Sequence, residues 1–281
     1  MVDLHNAIDA TTSVEAELNY LAPGKARPRT YTFDPPAGVS RSTVINEPHT
    51  VEIRNARLLP SHPSLDDHGF GWVRHRSEVG NFFNDEEVRR VYYPEAERLL
   101  TNLTGADRVL VFDHTVRRRL AGAADRQTDA PRQPVSRVHV DHTERSGPQR
   151  VRDLLPHDAE KLLRGRVQII NAWRPIRGPL RDKPLAVCDA RTVKMEQLVP
   201  SDLLYRDRVG ETYSVIFDPA HRWFYLPEME PDEVLLLKCY DSKIDGRARF
   251  APHSAFTDPT TPPDALPRES IELRTLVFHA S

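Results

Sequence analysis

The sequence predicts a mainly β fold, a sandwich or barrel with helices packed on its outside. From residue 108 onwards, short runs rich in valine, leucine, isoleucine and aromatic residues follow one another, separated by proline or glycine turns. A clear helical pattern precedes them. The 24 prolines, against 12 glycines, also favour many stiff turns. Short strands in quick succession beside a helical segment are typical of such architectures.

The helical pattern runs from about Asn84 to Leu103. Asn84 is a suitable N-cap, and three acidic residues follow it at the positive end of the helix dipole. Apolar residues then recur at helical spacing. Gly105 follows as a stop signal. A second, shorter helix is predicted over Pro156–Leu163.

The strands are predicted from period-two alternation or from short apolar runs. They are Val51–Arg57, Arg108–Asp113, Val135–Asp141, Val167–Trp173, Leu185–Asp189, Thr212–Asp218, Trp223–Leu226, Glu233–Cys239 and Ile271–Phe278.

Two regions differ from this pattern. Residues 1–50 are polar and contain several prolines, which predicts an irregular N-terminal arm with a short helix near Thr12–Leu21. Residues 51–281 are expected to form a single domain. Within that domain, the segments 123–134 and 257–267 have loop composition, and long loops beside a site often act as lids.

Composition excludes several classes of protein. The chain has 281 residues, with 39 basic and 41 acidic side chains and a formal net charge of −2. This balance gives no electrostatic basis for a nucleic-acid or anionic-membrane partner. Two cysteines without a CxxC pair predict neither a disulfide framework nor a structural zinc site. No apolar run reaches membrane-spanning length and no secretory signal is visible, so we expect a cytoplasmic protein. The oligomeric state stays open.

The tripeptide His139-Val140-Asp141 lies in a predicted strand. Residues i and i+2 of a strand point to the same face, so one imidazole and one carboxylate can converge on a metal ion. Two histidines and one carboxylate leave open positions in the geometry of non-haem iron(II) oxygenases. An HxD tripeptide alone is a weak signal, and a structural strand histidine is its main alternative.

His253, near the carboxyl end, is the candidate third ligand. Downstream, Arg268 and Ser270 open a predicted strand. A guanidinium with a neighbouring hydroxyl can hold the distal carboxylate of 2-oxoglutarate. Arg274 is a second candidate for this clamp, because it has the same parity on the strand as Arg268, Ser270 and Glu272. A surface arginine and a loop histidine are the alternatives.

Four further residues are candidates for substrate binding. Asn171 lies near the end of the predicted strand Val167–Trp173, and Arg174 directly follows that strand. Tyr225 and Lys238 are expected on neighbouring, antiparallel strands, where either can reach a carboxylate in the barrel mouth. Core packing for Tyr225, a buried ion pair for Arg174 and solvent contact for Lys238 are the competing interpretations.

Together these segments resemble the gibberellin desaturase-like or asaB-like hydroxylase/desaturase family, related to cephalosporin methoxylases. The resemblance covers roughly residues 50–281. It depends on segments that include RVHVDHT (137–143), NAWRPI (171–176), PHSAF (252–256) and PRESIE (267–272). It implies a double-stranded β-helix, or jelly roll, with the triad His139, Asp141 and His253 on its inner face. It also implies iron(II), 2-oxoglutarate and dioxygen as reactants.

The sequence therefore predicts an Fe(II)/2-oxoglutarate-dependent oxygenase that oxidises a C–H bond of a small molecule, in secondary metabolism. Hydroxylation, desaturation and oxidative cyclisation all stay open. One alternative is a metal enzyme on a cupin-like barrel that needs no co-substrate. The other is a non-catalytic barrel that binds a small molecule, for which neither a triad nor a clamp is needed.

Overall fold

The structure is a computed structural model, and it describes residues 12–123 and 131–280. Its described strands are β1 Ser13–Leu21, β2 Arg29–Tyr31, β3 Asn46–Asn55, β4 Phe70–Arg74, β5 Arg108–Arg118, β6 His139–Val140, β7 Val167–Pro175, β8 Leu185–Cys188, β9 Leu198–Leu204, β10 Val209–Val215, β11 Trp223–Tyr225, β12 Glu233–Asp241, β13 His253–Ala255 and β14 Glu269–Phe278. The helices are α1 Asp85–Glu87, α2 Tyr93–Thr104, α3 Ser146–Leu154 and α4 Ala159–Leu162. The predicted mainly β class is thus correct.

The described strands form two sheets. The larger sheet has nine strands in the order β1-β3-β11-β8-β13-β6-β10-β9-β2, and the smaller has five in the order β4-β12-β7-β14-β5. Most neighbours are antiparallel, while β3 with β11 and β2 with β9 are parallel. The main apolar core contains buried residues of both sheets, including Val187 and Phe224 of the larger and Trp173 and Leu237 of the smaller.

The predicted long helix is confirmed with its caps. The side chain of Asn84 accepts a hydrogen bond from the Glu87 amide, and Gly105 ends the helix in the left-handed region at φ 66°. Between α1 and α2 the helix widens into a π-helical segment over Val88–Tyr92. A second apolar cluster, which includes Leu100, packs this helix against the smaller sheet. The helix therefore covers the outer face of that sheet.

The predicted helix over Thr12–Leu21 is wrong. Residues Ser13–Leu21 form β1. This strand pairs antiparallel with β3 along its whole length, from Asn46 to Arg54. Alternate residues Val14, Ala16, Leu18 and Tyr20 are buried. This burial has the period of a strand, and pairing with β3 overrides the helix propensity of Ala, Glu and Leu.

The remaining predictions have mixed outcomes. The strands of the second half are found, most of them within a few residues of the predicted bounds. The short helix is confirmed as α4, whereas α3 was not predicted. Of the predicted strand Val135–Asp141, the structure contains only the two-residue strand β6, His139–Val140. Residues 1–50 are not irregular throughout, because β1 and β2 join the larger sheet, and a domain boundary at residue 50 stays a prediction.

Two other predictions concern loops and cysteines. Residues 257–267 lie between β13 and β14 without helix or strand, as expected. The loop predicted over 123–134 lies mostly outside the described residues, as does the start of the N-terminal arm. Cys188 and Cys239 are free and buried. None of the helices in the described ranges is long and apolar enough to cross a membrane.

Candidate metal and co-substrate site

Strand pairing brings two distant histidines together between the sheets. β13 pairs with β6 so that His253 lies directly opposite His139, and it pairs with β8 on its other side. The two imidazole centroids are 4.5 Å apart. Both side chains are buried, with exposed fractions of 9% for His139 and 2% for His253. The strand pairing of the larger sheet therefore sets the distance between the two imidazoles.

Each histidine has its Nδ1 atom engaged by a backbone carbonyl. His139 Nδ1 is 2.9 Å from the carbonyl oxygen of Arg137, and His253 Nδ1 is 3.1 Å from that of Ala251. A carbonyl can only accept, so Nδ1 carries the proton and the Nε2 lone pair is free. Burial, followed by the neighbouring His139, lowers the pKa of His253. A neutral imidazole is the form that binds a metal.

Asp141 supplies the carboxylate. Its Oδ1 atom is 3.4 Å from His139 Nε2. Its Oδ2 atom accepts hydrogen bonds from Asn171 Nδ2 at 2.8 Å and Arg274 Nε at 3.2 Å. Burial raises the pKa of this carboxyl, but the neighbouring Arg274 guanidinium outweighs burial and keeps the pKa well below its usual range. Asp141 is therefore ionised and points one oxygen toward the histidines.

The three side chains fit a divalent metal ion. Their ligand atoms all lie within 4.8 Å of one another. Two imidazole nitrogens and one carboxylate oxygen form the donor set of the facial triad that binds non-haem iron(II). The carbonyls behind the histidines and the two donors behind Asp141 are the outer contacts expected of such a site. The sequence thus placed His139, Asp141 and His253 together correctly.

Arg268 and Ser270 lie near the opposite end of β14. Arg268 Nε donates to Ser270 Oγ at 3.0 Å, and Nη1 donates to the carbonyl oxygen of Lys183 at 2.7 Å. The guanidinium carbon is 4.8 Å from the ring centroid of Trp173. Burial, and then the charge of Arg117, lowers the pKa of Arg268 to about 9. Among the described residues, no carboxylate forms an ion pair with this guanidinium.

Arg274 is in a different situation, because all three of its nitrogens are engaged. Besides Asp141, it contacts Asp113 at 3.2 Å and Thr115 at 2.9 Å through Nη1, and Glu272 at 2.6 Å through Nη2. Burial lowers the pKa of Arg274, but the carboxylates raise it more. Of the two candidates for the clamp, Arg268 is therefore the one with capacity for another anion.

Asn171 and Arg174 lie on opposite faces of β7. Asn171 points inward to Asp141. Arg174 donates to the carbonyl oxygens of Pro231 and His75, the latter at 2.8 Å. Its guanidinium carbon lies 5.7 Å from the Phe82 ring and 5.5 Å from the Tyr92 ring. These contacts put Arg174 on the helix side of the smaller sheet, away from the triad.

The prediction that Tyr225 and Lys238 lie on neighbouring strands is wrong. Tyr225 is in β11 of the larger sheet, whereas Lys238 is in β12 of the smaller. Lys238 is fully buried and donates to Asp66 at 2.6 Å and Asp241 at 2.9 Å. Tyr225 packs edge-on against Phe256. Sequence proximity suggested a hairpin, but each strand pairs with partners from elsewhere in the chain.

Sequence reasoning missed two features of the site. The sequence pattern predicts no role for Glu272, although Glu272 has the same strand parity as Arg268 and Arg274. It also assigned Asn171 and Arg274 to organic ligands, while the structure joins both to Asp141. The signal that the sequence offers for these residues is strand parity, which indicates the side chains that point to the same face. The pairing of Asn171 with Arg274 in the β7–β14 register was not readable from the sequence.

Two histidines and one carboxylate between two apposed β sheets form a donor set that is typical of metal-dependent oxidoreductases. The family described as Oxidoreductase/YMDC permease-like domain matches residues 18–278. Hydroxylase/desaturase efuI of Hormonema carpetanum is 40% identical over 81% of this chain and 83% of the relative. The Fe(II)/2-oxoglutarate-dependent dioxygenase nvfI of Aspergillus novofumigatus is 31% identical over 96% and 99%.

A comparison with solved structures supports the same family. The iron and alpha-ketoglutarate-dependent endoperoxidase NvfI superposes with a TM-score of 0.87 at 30% identity, over 97% of this chain and 100% of that one. The chain therefore belongs to the matched domain family and to the Fe(II)/2-oxoglutarate-dependent oxygenases, in the group that includes these hydroxylase/desaturases. The predicted double-stranded β-helix and the predicted family are both confirmed.

Proposed function

We propose that this oxygenase oxidises a C–H bond of a small organic molecule in secondary metabolism, with His139, Asp141 and His253 as iron ligands. The carrying observation is the ready-made donor set, in which both Nε2 lone pairs and Asp141 Oδ1 converge. Iron(II) with 2-oxoglutarate and dioxygen supplies the oxidising chemistry when bound. Hydroxylase/desaturase and endoperoxidase relatives support this reaction class.

We assign the far carboxylate of 2-oxoglutarate to Arg268 and Ser270. The buried guanidinium has no ion-pair partner among the described residues, and burial and the charge of Arg117 lower its pKa. Ser270 Oγ receives the Arg268 Nε hydrogen bond, so its own proton can be donated to the same carboxylate. Trp173 supports the guanidinium plane. Arg274 is assigned to Asp141 instead.

The substrate contacts are less strongly supported. Asn171 is next to the metal ligands, so it is the best placed of the four candidates. Arg174 and Lys238 are engaged in buried contacts of their own. Tyr225 lies against Phe256, where burial raises the pKa of its hydroxyl to about 12. The near balance of charge gives no electrostatic basis for a nucleic-acid or anionic-membrane partner, and the location proposed for this oxygenase is the cytoplasm.

An anaerobic titration tests the proposal. Iron(II) and then 2-oxoglutarate are added to the metal-free protein, and the visible spectrum is recorded. A weak charge-transfer band that appears only when both are present is expected of an iron-chelated 2-oxo acid. Metal binding without the band would favour the metal enzyme that needs no co-substrate. No metal binding would leave the non-catalytic barrel.

A further inference from the structure

We propose that Asn171 and Arg274 are positioning residues that hold Asp141 as a one-oxygen ligand of the iron. We further propose that the amide oxygen of Asn171 accepts a hydrogen bond from a water or hydroxyl bound at the same metal. This inference rests on the proposed function, because it takes Asp141 as a ligand. It gives Asn171 a task within the metal centre rather than a contact with the substrate alone.

Both donors reach the same oxygen of Asp141. Asn171 Nδ2 and Arg274 Nε donate to Oδ2, whereas Oδ1 is the atom that faces His139. Two hydrogen bonds, one from a guanidinium, occupy the lone pairs of Oδ2 and reduce its capacity to bind a metal. Asp141 then offers the metal Oδ1 alone. One carboxylate oxygen and two imidazoles leave more positions open for co-substrates than a bidentate carboxylate would.

The clamp joins the two sheets. Asp141 follows β6 of the larger sheet, and its two donors lie opposite each other in the β7–β14 register of the smaller one. Glu272, Asp113 and Thr115 hold the remaining nitrogens of Arg274. The guanidinium is therefore fixed from several sides, and the carboxylate orientation depends on how the sheets are apposed.

The second part of the proposal rests on a buried atom. Asn171 is fully buried, and its Oδ1 has no hydrogen-bond partner within the described ranges of the chain. The amide cannot be turned over to solve this, because Oδ1 would then face the carboxylate of Asp141. An unpaired buried carbonyl oxygen is unfavourable. A water or hydroxyl held at the metal that Asp141 would bind would supply the missing hydrogen-bond donor, whereas 2-oxoglutarate as a dianion has no proton to donate.

The test compares Asn171→Ala with Gln168→Ala. Gln168 is a matched control, since it is a buried amide on the same strand whose side chain contacts His279 instead of the triad. We expect the dissociation constant for Co(II) to rise about 10- to 100-fold in Asn171→Ala, as for other outer contacts of metal ligands. The control is expected to bind Co(II) like the wild type.

Two spectroscopic readouts separate positioning from a general structural role. The visible spectrum of the Co(II) protein should change shape in Asn171→Ala, because the carboxylate is free to bind through both oxygens. In the Mn(II) protein, bound water should exchange faster, as measured by solvent oxygen-17 relaxation. If Asn171→Ala does not fold, Asn171→Leu keeps a similar side-chain size without the donor and without an added charge, and is expected to weaken Co(II) binding as well.

The outcomes are distinguishable from failure of the proposed function. A wild-type protein that binds neither Co(II) nor 2-oxoglutarate would contradict the proposed function itself. A wild-type protein that binds both, with an Asn171→Ala variant matching the Gln168→Ala control in affinity and spectrum, would overturn the positioning role. An unchanged water-exchange rate would overturn the role of the amide oxygen.

Discussion

His253 lies directly opposite His139 across the β13–β6 pair, and the centroids of the two imidazole rings are 4.5 Å apart. Neither strand is long. β6 has two residues and β13 has three, so the site depends on the neighbouring strands β8 and β10 that flank the pair. The metal-binding geometry is thus a property of the larger sheet as a whole.

Replacing either histidine should remove the metal. In His253→Ala, one of three ligands is lost, and we expect no stoichiometric iron(II) or Co(II) binding in an anaerobic titration. His142→Ala is the control, because His142 follows Asp141 but contacts Ser146 rather than the triad. Tight metal binding by His253→Ala, with a folded control that behaves like the wild type, would contradict the assignment.

Arg268→Met should weaken 2-oxoglutarate binding while the metal still binds. A charge-assisted pair to a carboxylate contributes about 1.5–3 kcal/mol, so the dissociation constant for 2-oxoglutarate should rise by roughly one to two orders of magnitude. The measurement is the co-substrate dependence of the charge-transfer band. Arg177→Ala is the control, since its exposed side chain contacts, among the residues that the structure describes, the Pro267 carbonyl and, at 4.0 Å, Glu269. Equal affinities in both variants would reject the clamp.

Arg174→Met should destabilise the fold without changing metal or co-substrate binding. Its guanidinium satisfies the Pro231 and His75 carbonyls and packs against Phe82 and Tyr92. Loss of two charged hydrogen bonds in a buried position predicts a decrease of about 3 kcal/mol or more in the free energy of unfolding. Urea unfolding measures it. An unchanged urea midpoint would contradict this structural role, and Arg174 would remain a candidate for substrate binding.

Asp66 should make stability pH-dependent in the acid range. Partial burial raises its pKa, but hydrogen bonds from Lys238 and Arg166 outweigh burial and lower the pKa to about 2 from 3.8. The folded-state pKa lies below the unfolded value, so the contribution is complete above about pH 4 and is lost as the pH falls towards 2.

The measurement compares urea midpoints of the wild type and Asp66→Asn between about pH 6 and about pH 2, a range that includes the whole window between the unfolded and folded pKa values of Asp66. Asp66→Asn should be less stable than the wild type at the upper end of this pH range. The difference between the two urea midpoints should shrink towards the lower end. Asp67→Asn is the control, because its side-chain contact is with Ser64. A difference that stays constant with pH would contradict the ion-pair explanation.

The sequence by itself determined the local features of this protein. Asn84 and Gly105 mark the ends of the helix, because capping depends only on nearby backbone groups. His139 and Asp141 share a face, because the side chains of a strand alternate. The same alternation places Ser270 and Arg274 on one side of β14, and Arg268, which directly precedes the strand, has the same parity. These rules involve neighbours in the chain, so they are readable without a partner strand.

The tertiary structure alone decided which strands pair. It placed His253 opposite His139, separated Tyr225 from Lys238 into different sheets, and made a strand of Ser13–Leu21. It also set Arg274 beside Asn171, which assigned that guanidinium to Asp141. Pairing and register depend on burial against distant segments, and a local period cannot specify which distant segment that is.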